Sequence, residues 1–154
     1  MRTVKSFPGQ LDLREFINDL LKSYQPVAAA QGSTFINEIP ADLPVLANKE
    51  ILASLMNSLL YIIARCSRDT RIKINAKSFH DVMVLHIKDS STNDGYRVLS
   101  EFEHLRIFAQ QVAGSLEITS QRNQETTIAF SFINSAGKPA IFMDMEEMQQ
   151  LKCA

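Results

Sequence analysis

The apolar positions of this chain fall into helix-like and strand-like blocks. Behind Asp12, the residues Leu13, Phe16, Ile17, Leu20 and Leu21 recur at helical spacing, and Asp12 stands where an N-cap belongs. This first helix is expected to run toward Gly32, interrupted or bent near Pro26, where the ring removes a donor and crowds the preceding turn. Asn48 is placed to cap a second helix reaching about Ser67. Ile51, Leu55, Leu59 and Ile62 make one stripe along it, and Leu52, Met56, Leu60 and Ile63 make a second. A helix apolar over that much of its circumference is buried on more than one side. A third helical pattern, with Phe102, Leu105, Phe108, Ala109 and Val112 toward a core, predicts a helix over 98–113. Gly114 is expected to end it as the C′ residue.

Between the helices the period changes to two. "TVKSF" (3–7) reads as an edge strand closed by Pro8-Gly9, "STFINEI" (33–39) as a short strand, and "PADLP" (40–44) as a loop. "RIKINAKS" (71–78) and "DVMVLHIKD" (81–89) alternate and are joined by a tight turn at Phe79-His80, with Ile72 and Ile74 on one face. "STNDG" (91–95) is a loop, and 116–121 and 126–133 form a hairpin around "RNQE". The order β-α-β-α-β-β-α-β-β predicts an α+β fold: a two-layer sandwich with helices on one face of a mixed sheet. It occupies 1–135, followed by a tail, 136–154. There "IFMDMEEMQQL" (141–151) predicts a short helix with Met145, Met148 and Leu151 on one side, suited to its own domain or to a partner.

Composition narrows the function. A chain of 154 residues that is 45% hydrophobic and 21% charged fits one soluble domain with a real core. A net charge of −1 offers no basic field, which argues against nucleic acid. Cys66 and Cys153 are too few for a disulfide-stapled secreted fold, so a reducing cytoplasm is expected, with Cys66 acting as an apolar residue. The N-terminus has no apolar signal core, and the longest apolar run, "LLYIIA" (59–64), is too short to span a bilayer. No direct membrane insertion is expected, although the chain can equally be the cytoplasmic part of a larger protein. His80 falls in a turn, His86 on a strand surface and His104 on an exposed helix position. With the two cysteines they show no zinc-ligand spacing.

Several segments resemble the ATP-binding domain of sensor histidine kinases, the Bergerat-type fold shared with gyrase and Hsp90. "LDLREFINDLLKSYQPVAAAQGSTFINEIPADLPVLANKEIL" is similar to the family's opening segment. "SLLYIIARCS" (58–67) lines up with its "NLLxNAxKYT" box, and "VLHIKDSSTN" with "V-x-D-x-G-x-G". "QQVAGSLEITSQ" and "ETTIAFSF" resemble its last two strands. The resemblance runs from about Leu11 to Phe132 and rests on flanking patterns rather than on signature residues.

At the signature positions this chain departs from the family. The two asparagines of the first box fall on Ser58 and Ile62, and its lysine on Arg65. In the family the second asparagine gives an oxygen to Mg²⁺, which isoleucine cannot do. Asp89 stands where the resemblance implies a carboxylate for the adenine amino group, but the two glycines after it are replaced by Ser91 and Asn93. The family's long glycine-rich lid, whose N–H groups wrap phosphates, is replaced by "YRVLSEFEHL" (96–105), which has no glycine. The resemblance therefore implies a non-catalytic module without ATP or Mg²⁺, binding a response regulator or a kinase dimerisation domain, or forming a homodimer. A divergent catalytic domain that still binds ATP is the alternative reading. The ATPase-like half of a phosphotransfer protein is a third.

Overall fold

The computed structural model describes residues 10–90, 100–120 and 126–134. The strand expected at 3–7, the loop 91–95, the "RNQE" turn and the helix expected at 141–151 lie outside these residues. The described elements are β1 (Gln10–Asp12), α1 (Leu13–Ala30), β2 (Thr34–Asn37), β3 (Pro44–Leu46), α2 (Lys49–Cys66), β4 (Arg71–Phe79), β5 (Val82–Asp89), α3 (Ser100–Gln111), β6 (Ser115–Ser120) and β7 (Thr126–Ile133). Five strands form one sheet in the order β2-β4-β5-β7-β6, and β1 pairs with β3 in a separate two-stranded sheet. The β2–β4 pair is parallel and its connection passes through α2; β4–β5, β5–β7 and β7–β6 are antiparallel. The mixed α+β sandwich expected from the sequence is the observed fold.

Strand alternation decides which side is covered. Ile72, Ile74 and Ala76 of β4, Met83, Leu85 and Ile87 of β5, and Ile128, Phe130 and Phe132 of β7 are buried. The residues between them carry lysines, Asn75 and His86 on the opposite side. One face therefore packs against the helices, and the other carries no helix among the described residues. α2 lies between α1 and α3, and its two stripes explain the placing: Leu52, Leu55, Met56, Leu59, Leu60, Ile62, Ile63 and Ala64 are all buried. Ile51, at the start of one stripe, is 37% exposed because it belongs to the first turn, beyond the cover of the neighbouring helices.

The helix ends follow the expected chemistry with two corrections. Asp12 Oδ1 accepts from the Arg14 and Glu15 N–H groups at 3.1 and 3.4 Å, and Asn48 Oδ1 accepts from the Ile51 N–H at 3.0 Å. α1 closes in a Schellman turn: the Ser33 N–H donates to the Ala28 carbonyl and the Gly32 N–H to that of Ala29, with Gly32 at φ +77°. α3 closes the same way, but the left-handed residue is Ala113, at φ +64°, and Gly114 is the residue after it. Gly114 is needed for a different reason: a Cβ there would sit 2.8 Å from the Ser131 carbonyl oxygen of β7. The second correction concerns Pro26, which lies inside an uninterrupted α1. Pro26 and Lys22 are both exposed, so the carbonyl that loses its partner is within reach of water.

Two strand boundaries also differ from expectation. The β4–β5 turn is His80-Asp81 rather than Phe79-His80, with His80 left-handed at φ +57° and Phe79 still paired with Val82. The loop expected at 40–44 ends in β3, whose partner β1 is distant in sequence and invisible to any local pattern.

Candidate functional site

Of the residues singled out by the sequence, Ser58, Ile62 and Arg65 lie on α2 and Asp89 ends β5. On α2, Ser58 is exposed, Arg65 is half-buried and Ile62 is only 3% exposed. Ile62 is part of the same buried apolar cluster as the inner face of the sheet. A hydrated divalent cation cannot be held by that side chain, because it supplies no oxygen. Arg65 does not replace the ligand either. Its Nη2 bonds Glu101 Oε2 of α3 at 3.0 Å, and its guanidinium carbon lies 5.4 Å from the centre of the Tyr61 ring. Both partners of the ion pair are partly exposed, so it fixes the α2–α3 approach more than it stabilises the fold.

Asp89 ends β5 on the inner face and is 1% exposed. It lies opposite Ile72 in β4 and Thr126 in β7, and Thr126 is fully buried. More buried polar groups gather at this end of the sheet. Thr70 Oγ1 and Ser90 Oγ are 2.6 Å apart, and the Thr70 N–H donates to Ser33 Oγ at 3.2 Å. Ser67 closes α2 as its C-cap with its hydroxyl buried and, among the described residues, without a hydrogen-bond partner. This end of the inner face is thus a buried polar patch in an otherwise apolar layer, with Ser33, Thr70 and Ser90 hydrogen-bonded among themselves. Sequence reasoning found Asp89 and missed Thr126, Thr70 and Ser33. The only signal for Thr126 was its inward phase at the start of an alternating strand.

Ser91 and Asn93 lie outside the described residues; of the other positions, Ser58, Ile62 and Arg65 lie on α2 and Asp89 ends β5. The histidines are scattered: His80 in the β4–β5 turn, His86 on the sheet face opposite the helices and His104 exposed on α3. Burial, and secondarily Glu101, pushes the Cys66 thiol up against the opposing pull of Arg65 and Arg68, which leaves it a poor nucleophile at neutral pH. Among the described residues no helix is long and apolar enough to cross a membrane.

No family model matches the sequence, and no curated protein matches it at a significant level. Solved structures do match. Histidine kinase AdeS of Acinetobacter baumannii superposes with a TM-score of 0.69 at 11% identity, over 81% of this chain and 66% of that one. The catalytic domain of histidine kinase ThkA gives 0.66 at 14% identity, over 81% of this chain and 94% of that one. A histidine kinase from Burkholderia phymatum gives 0.68 at 15% identity, over 82% and 70%. The chain spans about two thirds of the AdeS structure and nearly all of the ThkA domain. At these identities the likeness speaks for the fold, and together with the element order and sheet topology it shows that the chain has the fold of the histidine-kinase ATPase domain.

Proposed function

We propose that this chain is a non-catalytic ATPase-like domain of two-component signalling, which keeps the fold as a binding module and has lost Mg²⁺-dependent ATP chemistry. The burial of Ile62 carries the proposal. A triphosphate brings several negative charges into a partly desolvated site, and without a metal or a phosphate-wrapping loop they stay uncompensated. Ser58 is exposed, Arg65 is committed to Glu101, and the segment after Asp89 is short and lacks the glycine-rich pattern. Its partner would be a response regulator or the dimerisation helices of a kinase, or a second copy, in the cytoplasm.

One observation favours a second reading. Asp89 and Thr126 remain paired and buried at the end of the inner face, where they can still meet an adenine-like edge. A divergent domain of that kind would bind nucleotide weakly and without a metal at Ile62. Both readings are tested by mixing the protein with the dimerisation helices of a histidine kinase and labelled ATP. The proposal expects no labelled histidine, with or without Mg²⁺; labelling above the helices-alone control overturns it.

A further inference from the structure

Among the described residues β2 is the outermost strand on one side of the five-stranded sheet, paired in parallel with β4. The Thr34 N–H donates to the Thr70 carbonyl at 3.1 Å and the Glu38 N–H to the Ile74 carbonyl at 2.7 Å, so alternate residues bond inward to β4. Phe35 is in the other phase and directs its N–H and carbonyl outward, to where a further strand would lie. Both groups are taken by one side chain of α1. The Phe35 N–H donates to Gln25 Oε1 at 3.1 Å, and the Phe35 carbonyl accepts from Gln25 Nε2 at 3.0 Å. A primary amide suits this task because it carries a donor and an acceptor side by side in one plane, as a residue of a paired strand does. Reversing the amide would set Nε2 against the N–H and Oε1 against the carbonyl, so the strand fixes its orientation. A second clasp lies on the same edge. Asn37 Nδ2 donates to the Arg14 carbonyl at 3.1 Å and to Asn18 Oδ1 at 2.8 Å, while Asn37 Oδ1 accepts from the Ile39 N–H at 3.0 Å. Arg14, Asn18 and Gln25 are spaced by four and seven residues and form one ridge of α1, which therefore follows the strand edge.

We propose that Gln25 is a lock on the β2 edge, holding it closed to strand addition by a second copy of this chain. An edge strand with free N–H and C=O groups is a template for pairing with another chain. β2 is four residues long, and Phe35 lies inside it, so taking up its two outward groups removes the pair that an added strand would have to use. A second copy is the occupant that the geometry selects, because an antiparallel β2–β2 pair closes on a two-fold axis at Phe35. Each Phe35 then exchanges with its counterpart the two bonds that it now exchanges with Gln25. Loss of nucleotide chemistry plays no part in the assignment, and a homodimer formed through another surface leaves the lock closed.

The test uses the full chain. Gln25→Leu keeps a strong helix former and removes both hydrogen-bonding groups. In dilute protein the Phe35 amide of this variant is expected to exchange its hydrogen about tenfold faster, the worth of one hydrogen bond, with β4 and β5 little changed. Sedimentation velocity is expected to show reversible association of Gln25→Leu that grows with concentration and exceeds that of the parent, and the β2 amides are expected to regain protection as it assembles. Gln25→Lys can serve the carbonyl but not the N–H, and it sets like charges together across the two-fold pair. It is expected to exchange fast at Phe35 without associating. Association of Gln25→Leu without renewed protection in β2 would mean general exposure of apolar surface and would overturn the proposal. Unchanged exchange at Phe35, no association of Gln25→Leu, or equal association of Gln25→Lys would overturn it as well.

Discussion

Replacing Ile62 by asparagine restores the residue type of the metal-binding box and so separates a closed site from an open one. Ile62 is 3% exposed, so Ile62→Asn removes nearly a full buried aliphatic side chain and puts an amide in its place. Losing the aliphatic group costs about 2–4 kcal/mol, and an amide without partners in the core adds about 1–3 kcal/mol, partly offset where the side chain turns toward the helix end. A net loss of about 4 kcal/mol is expected, against about 1 kcal/mol for Ile62→Val. With a urea slope of about 2 kcal/mol/M, the midpoint for Ile62→Asn falls by roughly 2 M and that for Ile62→Val by roughly 0.5 M. Urea unfolding followed by far-UV circular dichroism reads both. If Ile62→Asn stays within about 1 kcal/mol of the parent, the side chain faces a solvated pocket. The reasoning about the metal site would then be wrong.

Other consequences can be measured on the same protein. Ala113→Gly relieves a left-handed alanine and is expected to raise stability by about 0.5–1 kcal/mol, whereas Gly114→Ala forces a Cβ against the Ser131 carbonyl and is expected to lower it by about 1–3 kcal/mol. Thermal unfolding of the two variants should move in opposite directions. Asp12→Ala removes the acceptor for two N–H groups at the start of α1 and should cost about 1 kcal/mol in the same assay. Burial, then Lys88 and Lys77, hold His86 below its ordinary pKa. The unfolded chain therefore binds the extra proton first. The stability due to neutral His86 is complete above its unfolded pKa and is lost as the pH falls through that value toward the lowered folded one. His86→Gln is expected to flatten the urea midpoint against pH between about 7 and 5; an unchanged slope contradicts the assignment.

Much of this fold is local and hence legible in the chain. The caps at Asp12 and Asn48, the two stripes of α2, and the alternation of β4, β5 and β7 each follow from neighbours within a few residues. What escaped depends on distant partners. β3 exists because β1 pairs with it, and no feature of "PVL" alone demands a strand. Pro26 did not break α1 because its turn faces solvent, which depends on how α1 packs rather than on the proline. Gly114 was read as a helix-ending glycine, yet the left-handed step falls on Ala113, and the glycine serves the close approach of β7. The edge strand β2 shows the same dependence. Gln25 of α1 donates to the Phe35 carbonyl and accepts from its N–H, a side chain standing in for a neighbouring strand. The site divides likewise. Asp89 and Ile62 were visible because the resemblance assigns their positions, while the polar patch of Ser33, Thr70 and Thr126 is assembled from separate strands and connections.

The central claim is that the fold persists where the nucleotide chemistry has been closed off. Calorimetric titration of ATP and ADP into the full chain, with and without Mg²⁺, tests it most directly. The account expects no binding heat at high micromolar protein and no rise in melting temperature at millimolar nucleotide. Micromolar affinity that is strengthened by Mg²⁺ and abolished by Asp89→Asn would contradict it.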